Sequence, residues 1–426
     1  MPARHDLKQL LSEAAGPMLD PAPALARLMR RRRHRRGMVS GVAAATLLVV
    51  GVVAVLVRSD DGTTDVVSDR GEVVERSSWE DLADAPIDGR IGAGVVWTGQ
   101  EMIVWGGLAR SPVQEASDGA AYDPATDSWR TIAPAPPGVL GVVGTAAAWT
   151  GDRAVFWAGN SSDGPAAGAI YDPETDTWQR IAEGPLGPRE GYSTVWTGTE
   201  LLIIAGTSGD QGARPVAAAL NPTENTWRLL SALNDLPGLA PLGAVWDGEQ
   251  VFIAGSLYLC PELGAVCNET RPIFLTYDPR TDSSHEIDLT NAPVDGQAAL
   301  LAPLAWTGTE VVFTISGEPS AGVVRYNPSD ETWSIGEPGP CPVDDPSYSQ
   351  SAWLGDRYVV SCGLDALQIY DASTDTWEVI SAGPSSLNVR AGSAIVWTGT
   401  DLIAWSGAEQ RPGNPTPNDG SLVRLG

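Results

Sequence analysis

The chain has 426 residues, with 47 glycines, 33 prolines and 16 tryptophans against only 4 phenylalanines. A 43% hydrophobic content excludes a disordered chain. The three histidines, His5, His34 and His285, are too few for most histidine-built zinc, copper or non-haem iron sites. The net charge of −26 is unevenly placed: residues 1–37 hold nine Lys/Arg against three Asp/Glu, which leaves 18 against 50 for the rest. Such an acidic body repels phosphate and argues against nucleic acid as a partner.

In chain order, the basic tail 1–37 comes first. Asp6 caps an expected short helix carrying Leu7, Leu10, Leu11 and Ala14 on one side, which Pro21 and Pro23 end. The tail reads as a solvated topogenic segment, or else as a docking peptide for a cytoplasmic partner. Next, Met38–Val57 is a run of 20 residues with no charge, directly behind the arginine-rich run 30–36. At about 1.5 Å per helical residue it reaches ~30 Å, the thickness of a bilayer core. It predicts a transmembrane helix. The basic side stays cytoplasmic by the positive-inside rule, which places the body outside in a single-pass type II arrangement. A linker follows over 58–71, and the body spans 72–426.

The body repeats. W-x-G occurs seven times, at Trp97, Trp149, Trp196, Trp246, Trp306, Trp353 and Trp397, with spacings of 44 to 60 residues. Each copy sits between two short apolar runs, the second ending in glycine, which is a hairpin signal. A second signature follows in six copies, from YDPATDSW at Tyr122–Trp129 to YDASTDTW at Tyr370–Trp377, and predicts a second hairpin whose fourth strand opens near tryptophan. The copy at Tyr277 ends in His285 instead. All sixteen tryptophans then have places: seven in W-x-G, six in fourth strands (Trp79, Trp129, Trp178, Trp227, Trp333, Trp377) and three before the strand-ending glycine (Trp105, Trp157, Trp405). Recurrence at fixed register points to core packing.

Trp79 precedes the first W-x-G by 18 residues, and elsewhere fourth-strand tryptophans precede the next W-x-G by 18 to 20. Residues 73–82 therefore predict a fourth strand with no first three, while the last repeat lacks a fourth. One sheet is expected to be split, with its missing strand supplied from 73–82 to close a ring and cover its edges.

These residues resemble the Kelch-repeat family. Gly106-Gly107, Tyr122 and Trp129 in one copy, and Gly159, Tyr171 and Trp178 in the next, match its glycine, third-strand tyrosine and fourth-strand tryptophan. The copy at 196–227 departs with Leu220 for tyrosine, and the next lacks the tryptophan. The resemblance covers about 72–426 and implies an all-β, seven-bladed β-propeller, a fold that includes galactose-oxidase-like enzymes but is mostly a recognition scaffold. The fold alone does not assign function.

In such a fold the W-x-G and D-P turns share one end, and here they are uniform. The loops between second and third strands share the other end with the inter-repeat loops, and they vary, so recognition is expected there. Arg90, Arg189 and Arg390 are expected to open innermost strands near the channel mouth, where they are candidates for binding a carboxylate or acidic sugar. The competing reading has them bonding neighbouring carbonyls, Asp88 or Glu190. Cys260, Cys267, Cys341 and Cys362 suit two disulfides in an oxidising compartment. Three pairings are open, and short loops favour Cys260–Cys267 with Cys341–Cys362, each adding ~3 kcal/mol.

Catalysis is not expected. A copper site of the galactose-oxidase kind lacks histidine ligands, since the body has only His285. A serine hydrolase lacks its base. Acids such as Asp118, Asp163, Asp344 and Asp345 are not singled out by spacing as a glycosidase pair. No cofactor or metal is expected. The expectation is a membrane-anchored extracytoplasmic scaffold that binds a protein or glycan. The alternatives are a transmembrane regulator whose tail is similar to those of bacterial anti-sigma factors, though without their zinc-binding cysteines, and a carbohydrate-active enzyme.

Overall fold

The computed structural model describes residues 79–110, 113–158, 167–187, 192–204, 216–236, 238–259, 269–293, 299–316, 322–337, 351–354, 357–362, 366–381, 392–407 and 418–424. The tail, the expected membrane span over 38–57 and the linker lie outside them. Among the described residues no helix is long and apolar enough to cross a membrane. The one helix described is the single turn Ser231–Asn234.

The described residues form seven four-stranded antiparallel sheets and one three-stranded sheet. Sheet I comprises Gly94–Trp97, Met102–Trp105, Gly119–Asp123 and Ser128–Thr131. Sheet II comprises Ala146–Trp149, Ala154–Ala158, Ala167–Asp172 and Thr177–Arg180. Sheet III comprises Ser193–Trp196, Leu201–Ile204, Ala217–Asn221 and Thr226–Leu229. Sheet IV comprises Leu239–Trp246, Val251–Leu259, Glu269–Asp278 and Ser283–Glu286. Sheet V comprises Ala299–Trp306, Val311–Ser316, Gly322–Asn327 and Thr332–Ile335. Sheet VI comprises Ser351–Leu354, Arg357–Cys362, Ala366–Asp371 and Thr376–Ser381. Sheet VII comprises Ala394–Trp397, Asp401–Trp405 and Gly420–Arg424, and its fourth strand is Trp79–Asp81. The split sheet is thus present, with Trp79 opposite Val423 and Asp81 opposite Ser421.

The W-x-G motif makes its turn for two local reasons. The glycine takes positive φ (96° at Gly99, 108° at Gly151), which a β-carbon would strain. The middle residue caps the turn: Thr98 Oγ1 accepts from the Glu101 amide at 2.9 Å, and Asp247 Oδ1 accepts from the Gln250 amide at 2.7 Å. That explains why threonine or aspartate recurs there. Gly106 is fixed by a different demand: it holds positive φ, and a β-carbon on it would lie 2.6 Å from the Cα of Gly141 on the packed neighbouring segment.

The first strands touch in succession from sheet I to sheet VII, and the first strand of VII touches that of I. Between consecutive sheets lie separate apolar layers. One holds Ile103 and Trp105 of sheet I with Phe156 and Tyr171 of sheet II; another holds Met102 and Tyr122 of sheet I with Ile403 and Trp405 of sheet VII. Second strands are central in their sheets and entirely buried where they read MIVW or LLII. Tryptophan seals these layers: Trp405 meets Trp129 at 5.5 Å between centroids, Trp105 meets Trp178 at 5.5 Å, and Trp157 meets Trp227 at 6.4 Å.

Three features depart from the expectations. The loop after Gly107 contains a hairpin, Leu108–Arg110 with Val113–Glu115, which joins Arg90–Ile91 in the three-stranded sheet. The first strands of sheets IV and V are eight residues long, each with a register shift, where that of sheet I has four. In sheet IV the residue opposite Tyr277 is Ser284, so the tryptophan position there belongs to serine, and His285 lies one residue further, exposed.

Candidate functional site

At the turn end, the D-P signature builds a clasp. Asp127, Asp176, Asp282 and Asp375 hold positive φ of 46° to 54°. Each accepts a hydrogen bond from its own sheet's tyrosine, as Tyr171 Oη to Asp176 at 2.7 Å and Tyr370 Oη to Asp375 at 2.6 Å. Each also accepts from a backbone amide of the preceding inter-sheet linker, as Ala133 to Asp176 at 2.8 Å and Glu337 to Asp375 at 3.0 Å. The fourth-strand tryptophan completes the clasp by donating from Nε1 to the carbonyl of that same linker residue in three of them: Trp129 to Ala83, Trp178 to Ala133 and Trp377 to Glu337. In sheet III Asn225 stands in for the aspartate and Trp227 donates to Ala182, while sheet IV has no tryptophan there. The recurrence of Tyr, Asp and Trp in the sequence is therefore structural. Burial pushes the Tyr171 and Tyr277 hydroxyls up to about 12, which keeps them donors.

The Ala133 amide, with help from Tyr171 and Arg130, holds the Asp176 carboxyl below the usual carboxylate range. A depressed folded-state pKa contributes stability that is present above the unfolded value of about 4 and is lost as pH falls through the folded one. Unfolding titrations against pH are expected to show that slope in the wild type and a smaller one in Asp176→Asn. Asp176→Ala is expected to cost about 1–2 kcal/mol at neutral pH, through two lost hydrogen bonds and a poorer left-handed residue. Asn225 already occupies the corresponding place in sheet III.

Arginine adds a second link at alternate junctions. Arg130 forks onto Glu101 at 2.8 and 2.6 Å and reaches Tyr171 of the next sheet at 3.3 Å. Arg228 does the same with Glu200 and Tyr277, and Arg325 with Glu310 and Tyr370. The junction from II to III lacks this link. Where Glu101, Glu200 and Glu310 recur, sheet II has Arg153; where Arg130 and Arg228 recur, it has Gln179; where tyrosine recurs, sheet III has Leu220. A cleft of about 390 Å³ opens there, lined among others by Asp152, Arg153, Trp196, Asn221, Thr223 and Glu224. No motif in the sequence marks it. Its one signal was the departure of this copy, with Leu220, Asn221 and Asn225, from the repeat.

At the loop end, Arg90 does not open an innermost strand. Gly92, at φ 63°, turns the chain between Arg90–Ile91 and the first strand of sheet I. The Arg90 side chain is 1% exposed and bound to Asp118 Oδ1 at 2.9 Å, with further bonds to the carbonyls of Asp88, Gly106 and Asp118. Its amide donates to Ser406 Oγ at 2.7 Å, and the Ser406 hydroxyl also lies within hydrogen-bond reach of the Arg90 carbonyl. Arg90 thereby ties sheet VII to sheet I in the manner of the competing reading. Arg90→Ala is expected to lower unfolding stability by about 3 kcal/mol, measured in urea, because several buried carbonyls lose their donor. Beside it, the Gly92 amide donates to the Gly392 carbonyl at 2.8 Å, and the Gly144 amide to the Gly92 carbonyl at 2.9 Å.

Arg189 and Arg390 lie outside the described residues, as do Cys260, Cys267 and Cys341. Cys362 ends the second strand of sheet VI, and its side chain is outside them too. Most of the variable loops share that position. Among the described residues no cluster of His, Cys, Asp and Glu has the arrangement of a metal site. No protein-family model matches the chain, and no curated protein matches its sequence.

Proposed function

We propose that this chain is a membrane-anchored, extracytoplasmic seven-bladed propeller of the Kelch type, which binds a protein or glycan through its variable loop end and catalyses no reaction. The observation that carries this reading is the cyclic succession of four-stranded sheets, sealed by a strand from the N-terminal side of the body. The uniform turn end supports it, because the recurring polar side chains there are engaged in holding sheets together. Recognition is left to the loops, and rigid scaffolds carry function on such loops. The uncharged run Met38–Val57 behind the arginine cluster is the anchor. In an oxidising compartment, Cys260–Cys267 and Cys341–Cys362 brace the loop end.

Protease protection in right-side-out vesicles tests the placement: residues beyond 58 are digested from outside, and protection of the body would overturn it. Capture experiments with the full chain test the binding role. A partner lost on replacing the loop 260–268 is expected. Retention of every partner after replacement of all variable loops would refute the assignment.

A further inference from the structure

We infer that the cleft between sheets II and III, on the W-x-G turn of sheet II and the W-x-G and D-P turns of sheet III, is a saccharide-binding site. The junctions that flank it use their polar groups internally. At sheet I, Arg130 is bound by Glu101 and Tyr171; at sheet III, Arg228 is bound by Glu200 and Tyr277. At the junction from II to III the same positions hold Arg153, Gln179 and Leu220, and the link cannot form. Arg153 is left with only a 3.8 Å contact from Nε to Asp152, and its side chain is 43% exposed.

Of the other lining groups, the Asp152 carboxylate accepts from the Thr150 hydroxyl at 2.7 Å through Oδ1. Asn221 uses its carbonyl oxygen to cap its own turn, accepting from the Thr223 and Glu224 amides at 3.0 and 3.1 Å, so its amide nitrogen has no partner among the described residues. Glu224 receives one bond, from Thr226 at 3.4 Å. Trp196 is half-buried, and its indole N–H has no partner among the described residues. The fourth-strand indoles of Trp178 and Trp227 are instead satisfied by carbonyls, whereas the W-x-G indoles share the open state of Trp196 among the described residues, and Trp196 is the one that lines this cleft.

The chemistry of this set selects its ligand. One aromatic side chain offers an apolar surface with a polar edge. Around it stand a guanidinium, an amide, a hydroxyl and two carboxylates, so donors and acceptors alternate within one cleft. The two carboxylates slightly outweigh the arginine, which disfavours phosphate, sulfate and uronate. The polar rim disfavours a purely apolar ligand. A neutral saccharide matches, with C–H groups against the indole and hydroxyls that both donate and accept. The volume falls in the range of small-molecule sites, roughly 300–1,000 Å³.

The test is calorimetric titration of the full chain, held in a detergent without a sugar headgroup, with glucose, galactose, N-acetylglucosamine, maltose, cellobiose and chitobiose. Saturable binding of at least one is expected, weakened at least about tenfold by Arg153→Ala and by Glu224→Gln. Both are turn residues outside the clasps. The double variant Arg153→Glu with Gln179→Arg restores the ion pair found at the flanking junctions, so it is expected to abolish binding while keeping the unfolding midpoint. No saturable heat with any of these sugars overturns the inference. So does sugar binding that the three variants leave unchanged. That second outcome would place the sugar at the loop end, in keeping with the proposed function but against this site.

Discussion

Trp105→Ala is expected to destabilise the protein by about 4 kcal/mol, the usual range for emptying a fully buried tryptophan site. Trp105 has no exposed surface and lies between two sheets, with Phe156 and Trp178 of sheet II each 5.5 Å from its ring. Its Nε1 donates to the Ser117 carbonyl at 3.3 Å, so truncation also removes that acceptor's partner. The layer cannot collapse easily, because its other face is strand backbone fixed by hydrogen bonds to both neighbouring strands. Trp105→Phe keeps most of the apolar volume and is expected to cost less than half as much. Equal costs would mean that the inter-sheet layer is loosely packed.

The second large effect concerns closure. Removal of residues 1–88 is expected to prevent folding, whereas removal of residues 1–72 leaves the body able to fold. The longer deletion removes the strand Trp79–Asp81, together with Leu82, Ala85 and Ile87, which are buried between sheets VII and I. Loss of two large aliphatic side chains from a core costs roughly 5 kcal/mol or more, comparable to the whole stability of a domain. It also leaves Gly420–Arg424 as an open apolar edge, a template for association with another chain. Size-exclusion chromatography of the two truncations separates the outcomes: a monomeric product of the longer deletion would mean that ring closure contributes little.

Much of this architecture was legible because it repeats. The W-x-G turn uses a positive-φ glycine and a capping Thr or Asp, and both are visible in six of the seven copies, Leu354 standing at the middle position of the other. The D-P signature likewise locates the third and fourth strands. The orphan Trp79 pointed to the split sheet by spacing alone, and the pairing Trp79 with Val423 is what the structure contains.

Other features were hidden for identifiable reasons. Arg90 looked like the start of an innermost strand because nothing in the sequence marks Gly92 as a reversal. The buried placement of Arg90 depends on Asp118 and Ser406, 28 and 316 residues away. His285 closes the fourth copy's signature but falls one residue past the tryptophan register, and a one-residue difference sends a side chain to the opposite face of a strand. The clasps escaped notice because their tyrosine, aspartate and tryptophan lie within one signature while the linker amide and carbonyl come from the preceding junction. The cleft beside Trp196 leaves only a faint mark in the sequence, a set of departures from the repeat in one copy. Arg153, Gln179 and Leu220 are each unremarkable alone, and together they remove an inter-sheet link.

The claim on which the account rests is that residues just before the first repeat form the outer strand of the last sheet. Asp81 and Ser421, which are 340 positions apart, face each other at 3.4 Å. Replacing both with cysteine (Asp81→Cys, Ser421→Cys) and oxidising the full chain is expected to join the two segments. Mass spectrometry of the unreduced digest should then yield one linked peptide containing both positions, lost on reduction. If the introduced thiols stay free, or pair with any other position, residues 79–81 do not close the ring and the account fails.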